Sequence, residues 1–519
     1  MKKPYEIFPY TINTLKQLLS EKSGALPSIV DSKLHSLYFE HYFTDLNAKT
    51  IVVENDYIDR DFMEDYAGFY SRCFDKYESS CTRLHFFKLK FSPQLFSTIL
   101  INRSKAKNVL NFKKSYLGFI VIKKLPQTFI GRTCLVTYGS DNERRQYPIL
   151  REYPVSLFGI NLTVYKTLAF QEQDRGVAAC ATSALWSVFQ GTGKLFQHSI
   201  PSPVEITQIA TKFPDENVPG FLPSRGLTGK QEIYAIRQLG LEVDHIDAQQ
   251  YSNLQGAVYA YLKAGIPLLL RVSLFDITNR ELPKYLGGHA MAVTGFSLGK
   301  DKCVPYESNN FLLKSSQIDK LYVHDDQVGP FARVELDNKT ISYQKHKYNS
   351  ISTSWKRGKI RAVPRFILIP LYPKIRIRYE FIRNVIRSFE IFIYEEFFKK
   401  SKFPFPKLFE WDIYLTTVNK LKSEFRNDTS IHFSEKKEIL LKNMPRFIWR
   451  VIAKNKNDRL FEFLFDATDI EQGKCFFHAV NHNNVFYSFL KIVSKISSGD
   501  PDFQIKSYWH ILEWFSKLR

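Results

Sequence analysis

The stretch QEQDRGVAACATSALWSVF, residues 171–189, decides how we interpret this chain, because it places one cysteine at the predicted start of a helix. Leu185, Val188 and Phe189 follow Cys180 with the i, i+3, i+4 spacing of one buried helix face. The pattern predicts an amphipathic helix whose first turn contains Cys180.

The loop before this helix has the residues of a sharp turn, with Gly176 for the bend and Asp174 as a candidate cap. A thiol at a helix N-terminus meets free backbone N–H groups and the positive end of the helix dipole, and both favour the thiolate. Free cysteine is also one of the most buried residue types, so simple packing of Cys180 is the competing interpretation.

Length and composition indicate a folded protein of several domains, since 519 residues exceed what one core organises. Hydrophobic residues make up 44% and aromatic residues 15% of the chain. We find no apolar run of membrane-spanning length and no signal peptide, so we expect a cytoplasmic protein without membrane insertion. Six scattered cysteines without a CxxC pair fit a reducing compartment, and no Cys/His cluster has the spacing of a structural zinc site.

Nine of the 21 excess positive charges lie in one stretch. Residues 341–380 contain ten Lys or Arg residues and one acid, Glu380. Such a stretch could attract nucleic acid, anionic lipid or an acidic protein. A solvated basic face is the competing interpretation, and no nucleic-acid-binding motif accompanies the stretch.

The pattern along the chain predicts three domains: a mixed α/β domain over 1–155, a second domain over 156–372, and a mainly helical, aromatic-rich domain over 373–519. In the first, we expect a helix from Asp56 to Arg83, followed by strands in SYLGFIVIKKLP and FIGRTCLVTY.

In the second domain, helices are predicted to precede strands along the chain. Thr228 is a candidate cap for a helix that ends at Gly240, and NLQGAVYAYLKAG forms another helix. Strands are predicted over 266–275, 287–299, 320–336 with a turn at 325–327, and 365–373. This order favours an α+β domain with an antiparallel sheet.

In the last domain we predict helices over 378–400 and 412–425, strands over 444–454 and 459–469, and a terminal helix over 506–519. His478 and His482 have i, i+4 spacing, but no third ligand lies nearby in the sequence, so we expect no metal there.

A cysteine nucleophile needs a base, a group that orients the base, and a donor for the oxyanion. His289 follows two glycines at the start of a predicted strand, where small residues would leave space beside the ring. Asp325 lies where a neighbouring strand ends and could fix the tautomer of the imidazole. Gln173, seven residues before Cys180, could bind an oxyanion together with the Cys180 N–H group.

Three motifs in this order resemble the papain-like cysteine peptidases. They are Gln173…Cys180-Ala181-Thr182-Ser183, Gly288-His289-Ala290-Met291-Ala292-Val293 and Val323-His324-Asp325-Asp326-Gln327-Val328-Gly329. The motifs are most similar to the bacterial branch that includes the double-glycine leader peptidases, and the resemblance covers about residues 165–370.

The resemblance implies a papain-like core in which Cys180 is the nucleophile, His289 the general acid and base, Asp325 the orienting acid and Gln173 the oxyanion donor. Two positions depart from the family pattern. Ala181 replaces the usual Gly after the cysteine, and Asp326 replaces Pro in the acid turn. The second departure leaves open whether Asp325 or Asp326 contacts His289.

These observations predict a thiol-dependent hydrolase, most simply a cysteine peptidase that cleaves a protein or peptide, with no cofactor and no metal. One alternative keeps the site and changes the reaction to deamidation, transglutamination or isopeptide cleavage. Another is a non-catalytic scaffold that binds nucleic acid or an acidic protein through residues 341–380. We expect the flanking domains to recognise a substrate or a protein partner.

Overall fold

The structure, a computed structural model, describes residues 3–139, 141–214, 226–279, 281–300, 303–306, 311–394, 409–456, 458–468, 475–485, 488 and 491. Contacts between residues divide the chain into two compact units. Unit 1 contains Met1–His245, Gly265–Ser297 and Asp319–Pro370, and unit 2 contains Ile246–Ala264, Leu298–Ile318 and Leu371–Arg519. Unit 2 therefore includes two segments of the region predicted as the middle domain, while the three-domain division itself stays a prediction.

Unit 1 begins with a five-stranded sheet in the order β1-β2-β3-β4-β5, in which every neighbouring pair is antiparallel. Its elements are β1 Tyr5–Pro9, α1 Ile12–Ser23, α2 Pro27–Ser32, α3 Leu34–Asp45, β2 Thr50–Tyr57, α4 Arg60–Gly68, β3 Cys81–Phe87, α5 Pro93–Leu100, α6 Ala106–Lys114, β4 Tyr116–Ile122 and β5 Ile130–Leu135.

The two strands predicted after residue 114 are confirmed as β4 and β5. The single helix predicted from Asp56 to Arg83 is wrong. Only Arg60–Gly68 of that range forms the helix α4, and Cys81 begins the buried strand β3. The helix begins where Asp59 caps it, since its carboxylate accepts from the Asp61 and Phe62 N–H groups at 3.1 Å each.

The central part of the chain contains the elements predicted around the cysteine, histidine and aspartate. They are β6 Arg145–Gln146, β7 Arg151–Leu157, β8 Ile160–Thr167, α7 Cys180–Phe196, α8 Pro203–Ala210, α9 Gly229–Gln238, β9 Glu242–Asp247, α10 Tyr251–Leu262, β10 Leu268–Asp276, β11 Lys284–Leu298, β12 Pro305–Tyr306, β13 Phe311–Leu313, β14 Ile318–Asp325, β15 Gly329–Tyr343, β16 His346–Ser352 and β17 Ile360–Leu371.

The strands β10 to β17 follow the helices α7 to α10, as the sequence predicts, although β8 precedes α7 and β9 precedes α10. The strand order is β10-β11-β14-β15-β16-β17-β9, and an additional antiparallel pairing between β10 and β17 closes six of these strands into a ring. The α+β class is therefore confirmed. The short strand β6 extends the sheet by pairing with the end of β11.

The helix α9 confirms the predicted cap and stop. Thr228 accepts from the Gln231 N–H group, and the Gln231 side chain accepts from the Thr228 N–H group, which is a complete capping box. Gly240 follows the helix with a φ of 75°, a conformation that glycine adopts without strain.

Unit 2 contains a six-stranded sheet in the order β12-β13-β18-β19-β20-β21. Its remaining elements are α11 Tyr379–Ile393, β18 Glu410–Thr417, α12 Val418–Asn427, α13 Phe433–Leu441, β19 Phe447–Asn455, β20 Asp458–Asp466 and β21 Phe476–Asn481. Within the described residues no helix is long and apolar enough to span a bilayer.

The prediction of a mainly helical domain after residue 373 is wrong for the described part of that region, because strands β18 to β21 form a sheet there. The predicted helix over 412–425 is a strand up to Thr417, and only α12 is helical. Ile413, Tyr414 and Leu415 are buried side by side in β18, where a β-branched and aromatic run fits a strand covered on both faces. The predicted terminal helix over 506–519 lies outside the described residues.

The helix that begins at Cys180 is fastened to α4 by a buried carboxylate. Trp186 of α7 is fully buried, and its Nε1 donates to Asp61 Oδ2 at 2.9 Å. Arg132 of β5 donates to the same oxygen at 2.7 Å. One side chain of α4 therefore holds both the central helix and the N-terminal sheet.

We expect Asp61→Ala to lower the free energy of unfolding by about 1–3 kcal/mol, because it leaves the buried Trp186 N–H without an acceptor, whereas Asp59 still lies 3.6 Å from Arg132. The measurement is urea unfolding followed by tryptophan fluorescence. Glu64→Ala, on the same helix, is the control. Its ion pair with Arg60 at 3.5 Å lies at the surface, so a change within about 0.5 kcal/mol is expected. Equal losses in both variants would contradict this account.

Candidate active site

Cys180 is the first residue of α7, as predicted, and Ala179 precedes it in an extended conformation without a side-chain cap. The first N–H groups of a helix have no partner within the helix. The start of α7 therefore presents backbone donors next to the thiol, and the negative end of a bound group would be stabilised there.

Asp174 does not cap α7 and instead holds the loop that precedes it. Its Oδ1 accepts from the N–H groups of Gly176 and Val177 at 2.8 and 2.7 Å. Lys123 of the N-terminal region lies 3.5 Å from Asp174 Oδ2, and the Tyr70 hydroxyl also donates to this carboxylate. The approach to Cys180 is thus fixed by residues that precede it by more than 50 positions.

The structure brings Cys180, His289 and Asp325 together. His289 lies in β11, and its Nε2 donates to Oδ1 of Asp325, the last residue of β14, at 3.1 Å. The Cys180 side chain lies close enough to the His289 ring to raise its pKa. His289 and Asp325 are 4% and 2% exposed, so bulk water does not screen this pair.

Trp355 contacts both Asp325 and His289. Its Nε1 donates to Asp325 Oδ2 at 2.8 Å, and its ring meets the His289 ring edge to face at 5.1 Å between centroids. The backbone N–H of Gln327 donates to Asp325 Oδ1 at 3.1 Å. Three donors therefore hold this carboxylate. Sequence reasoning missed Trp355, because a lone tryptophan in a basic stretch gives no local sign of its partner.

His289 and Asp325 stabilise each other's charged forms. Burial alone would lower the pKa of His289, but the charge of Asp325, the hydrogen bond with Asp325 and the nearby Cys180 side chain raise it well above the usual value. Burial alone would raise the pKa of Asp325, but the His289 charge and the donors of His289, Trp355 and Gln327 lower it. The site thus favours an imidazolium beside a carboxylate.

The structure distinguishes the two acids that the sequence left open. Asp326 Oδ1 lies 3.7 Å from His289 Nε2, beyond hydrogen-bond distance, whereas Asp325 is at 3.1 Å. Asp326 Oδ2 accepts from the Gln327 side-chain amide at 2.7 Å. Burial and the neighbouring Asp325 charge raise the pKa of Asp326 to about 6. Asp325 is therefore the acid that orients the imidazole.

The turn that contains both acids rests against helix α3. The His35 ring lies beside the backbone of Asp326, and the Tyr38 hydroxyl donates to the carbonyl of Pro330. Gly329 has a φ of 151°, and a Cβ at this position would lie 2.4 Å from the Tyr38 ring. Only glycine fits there, because helix α3 packs directly against the acid turn.

Gln173 lies half-buried between two anchored neighbours. Glu172 forms an ion pair with Lys33 and accepts from the Ile130 N–H group at 3.1 Å, and Asp174 is bound as described above. Among the described residues, the Gln173 side chain makes no hydrogen bond. Two residues earlier, the Gln171 amide nitrogen is buried without a hydrogen-bond partner among the described residues.

The site also has the spacing of a metal centre, since ligand atoms of His289, Asp325 and Asp326 lie within 4.8 Å of one another. Both oxygens of Asp325 already accept hydrogen bonds, and His289 Nε2 is turned toward one of them. A cation there would compete with three existing donors. We therefore interpret the group as an acid–imidazole cluster.

His478 and His482 have separate partners in unit 2. His482 Nε2 donates to Glu462 Oε1 at 2.8 Å, and His478 Nδ1 lies 3.3 Å from the Lys442 ammonium. Burial and then the Lys442 charge lower the pKa of His478 to about 4. Each ring therefore has its own contact on one nitrogen, while His478 Nε2 and His482 Nδ1 have no hydrogen-bond partner among the described residues.

The basic stretch 341–380 is divided between the two units. Arg361 is buried and forms a bidentate ion pair with Asp337, so its charge is neutralised. Lys345 and Lys347 are exposed on the β15–β16 hairpin in unit 1. Nucleic-acid binding through this stretch stays a prediction.

A polar cleft of about 770 Å³ lies elsewhere in unit 1, near the N-terminus. It is lined by both acids and lysines, among them Glu6, Lys22 and Glu78. Lys22 is paired with Glu6 at 2.7 Å. None of the predicted site residues lines this cleft, so it does not bear on the thiol chemistry.

Comparisons with known proteins do not assign a family. No protein-family model matches the chain, and no curated protein matches it. The chemistry of the site must therefore be argued from its own residues.

We expect Trp355→Phe to keep the ring contact with His289 while removing the donor to Asp325. Loss of a hydrogen bond to a charged group destabilises the ionised form by about 1.5–3 kcal/mol. The pKa of Asp325 should therefore rise, and the imidazolium form of His289 should be less stable. The measurement is the NMR titration of His289, whose midpoint should move to lower pH. Trp449→Phe, in unit 2, is the control and should leave the midpoint in place.

Proposed function

We propose that this chain is a thiol-dependent hydrolase that cleaves an amide bond of a protein or peptide, with Cys180 as the nucleophile. The observation that carries the proposal is that His289 is hydrogen-bonded to Asp325 and is also acted on by the Cys180 side chain. A nucleophile, a base and an orienting acid within contact of one another are the parts that acyl transfer requires.

In the first half of the reaction, the Cys180 thiolate attacks the carbonyl carbon and the C=O π electrons move to the oxygen. The Cys180 N–H group at the start of α7 and the Gln173 amide are our candidates for binding this oxyanion. His289 then gives its proton to the leaving nitrogen as the C–N bond breaks. The products of this half are a free amine and a thioester on Cys180.

In the second half, His289 is neutral and accepts a proton from water as the water oxygen attacks the thioester. Collapse of the tetrahedral intermediate breaks the C–S bond, releases the acid and restores the thiolate beside the imidazolium. Asp325 keeps the ring oriented through Nε2 in both halves, so Nδ1 is the nitrogen that exchanges the proton.

Treatment with a thiol-reactive peptide electrophile should add one label, at Cys180, and intact-mass and peptide-mass analysis will locate it. We expect Cys180→Ala to lose the label and any peptide hydrolysis. His289→Ala should slow labelling by about 100-fold or more, since base assistance contributes about 10²–10⁴-fold.

Cys73→Ala is the matched control, because Cys73 is likewise partly exposed and free. It should keep both labelling and hydrolysis. If labelling of Cys180 were no faster than labelling of Cys73, and hydrolysis persisted in Cys180→Ala, the proposal would fail.

The same thioester could be resolved by an amine or arise from a glutamine side chain, since the constellation does not fix the acceptor. Adding a primary amine to the hydrolysis assay distinguishes these reactions. Free acid as the main product supports hydrolysis, whereas an amide that replaces it in proportion to the amine indicates acyl transfer.

A further inference from the structure

Asp326 is a second buried acid beside the imidazole, and its contacts differ from those of Asp325. It is 3% exposed, and its Oδ1 has no hydrogen-bond partner among the described residues. This oxygen lies 3.7 Å from His289 Nε2. A buried carboxylate oxygen without a hydrogen-bond donor destabilises the folded state, so the position of Asp326 Oδ1 beside the His289 imidazolium indicates a role for it.

The groups around Asp326 come from four parts of unit 1. His289 of β11 and Asp325 of β14 act on it through charge, and the Gln327 side chain donates to its Oδ2. Glu172, before α7, adds a further negative charge, which Lys33 pairs. The His35 ring of α3 lies beside its backbone.

We propose that Asp326 is a positioning residue of this site, which stabilises the imidazolium form of His289 through the unpartnered Oδ1 beside Nε2. The inference rests on the proposed roles of Cys180 and His289. Asp326 is the residue at which the acid turn differs from the family that the sequence resembles, and the proposal gives this residue a role.

The distance makes the effect large enough to measure. An opposite charge within about 4–6 Å shifts a titration by about one to three pH units, and burial limits screening by solvent. Because the pKa of Asp326 is raised to about 6, it is protonated and neutral below that pH and supports the imidazolium only above it. The midpoint of His289 should therefore depend on Asp326 at neutral and alkaline pH.

The test is the NMR titration of His289 in the full chain labelled at histidine Cε1, with the signal assigned by its loss in His289→Ala. Asp326→Asn keeps the shape and the acceptor for Gln327 while removing the charge. We expect its midpoint to lie about one pH unit or more below that of the wild type, and the two chains to coincide below about pH 6.

Asp319→Asn is the control, since it removes a charge from β14, the strand that leads into the turn with Asp326, where Asp319 is paired with Arg144 at 3.1 Å. Its midpoint should match the wild type. An unchanged midpoint in Asp326→Asn, or an equal shift in Asp319→Asn, would overturn the proposal.

A measurement on the wild type alone covers the case in which Asp326→Asn does not fold. Besides its own titration, the His289 signal should then show a second inflection where Asp326 ionises, above the usual range of an aspartate because burial raises the pKa of that carboxyl. Absence of any second inflection would also overturn the proposal. Because no substrate is used, absence of hydrolysis together with the expected titration would reject the proposed function and keep this inference.

Discussion

The carboxylate of Asp325 is the constraint on which the site depends. An ionised acid that is 2% exposed persists only where donors replace the water it has lost. His289, Trp355 and the Gln327 N–H group supply those donors from a strand, a short 3-10 turn and the acid turn itself. Satisfying one charge therefore fixes the relative positions of three parts of unit 1, and the imidazole is oriented as a result.

The elements with strong local signals could be predicted from the sequence. The helix start at Cys180, the capping box at Thr228 and the strand that contains His289 each depend on residues within a few positions of one another. The segment at 412–417 could not, because a helix and a buried strand share the same apolar run and only the neighbouring strands of the sheet decide between them.

The residue types of the site could be predicted from the sequence, but their hydrogen-bond partners could not. Asp325 and Asp326 are adjacent, and which of them faces His289 is set by donors at 327 and 355. Asp174 has the residue type of a helix cap, yet it binds the loop because Lys123 and Tyr70 approach it from the N-terminal region. Such choices depend on distant partners, and a single sequence does not reveal them.

The helix α10 has a consequence for how the chain acquires its structure during synthesis. Its Tyr259 donates to Asp412 at 2.7 Å across 153 residues, and Tyr261 stacks edge to face on Trp449 at 5.5 Å. At about 5–20 residues per second, a ribosome takes roughly 8–30 s to make the intervening chain. Throughout that interval α10 has emerged without the sheet that buries it. All segments of unit 1 precede residue 371, so unit 1 can be completed while α10 still waits for the sheet of unit 2.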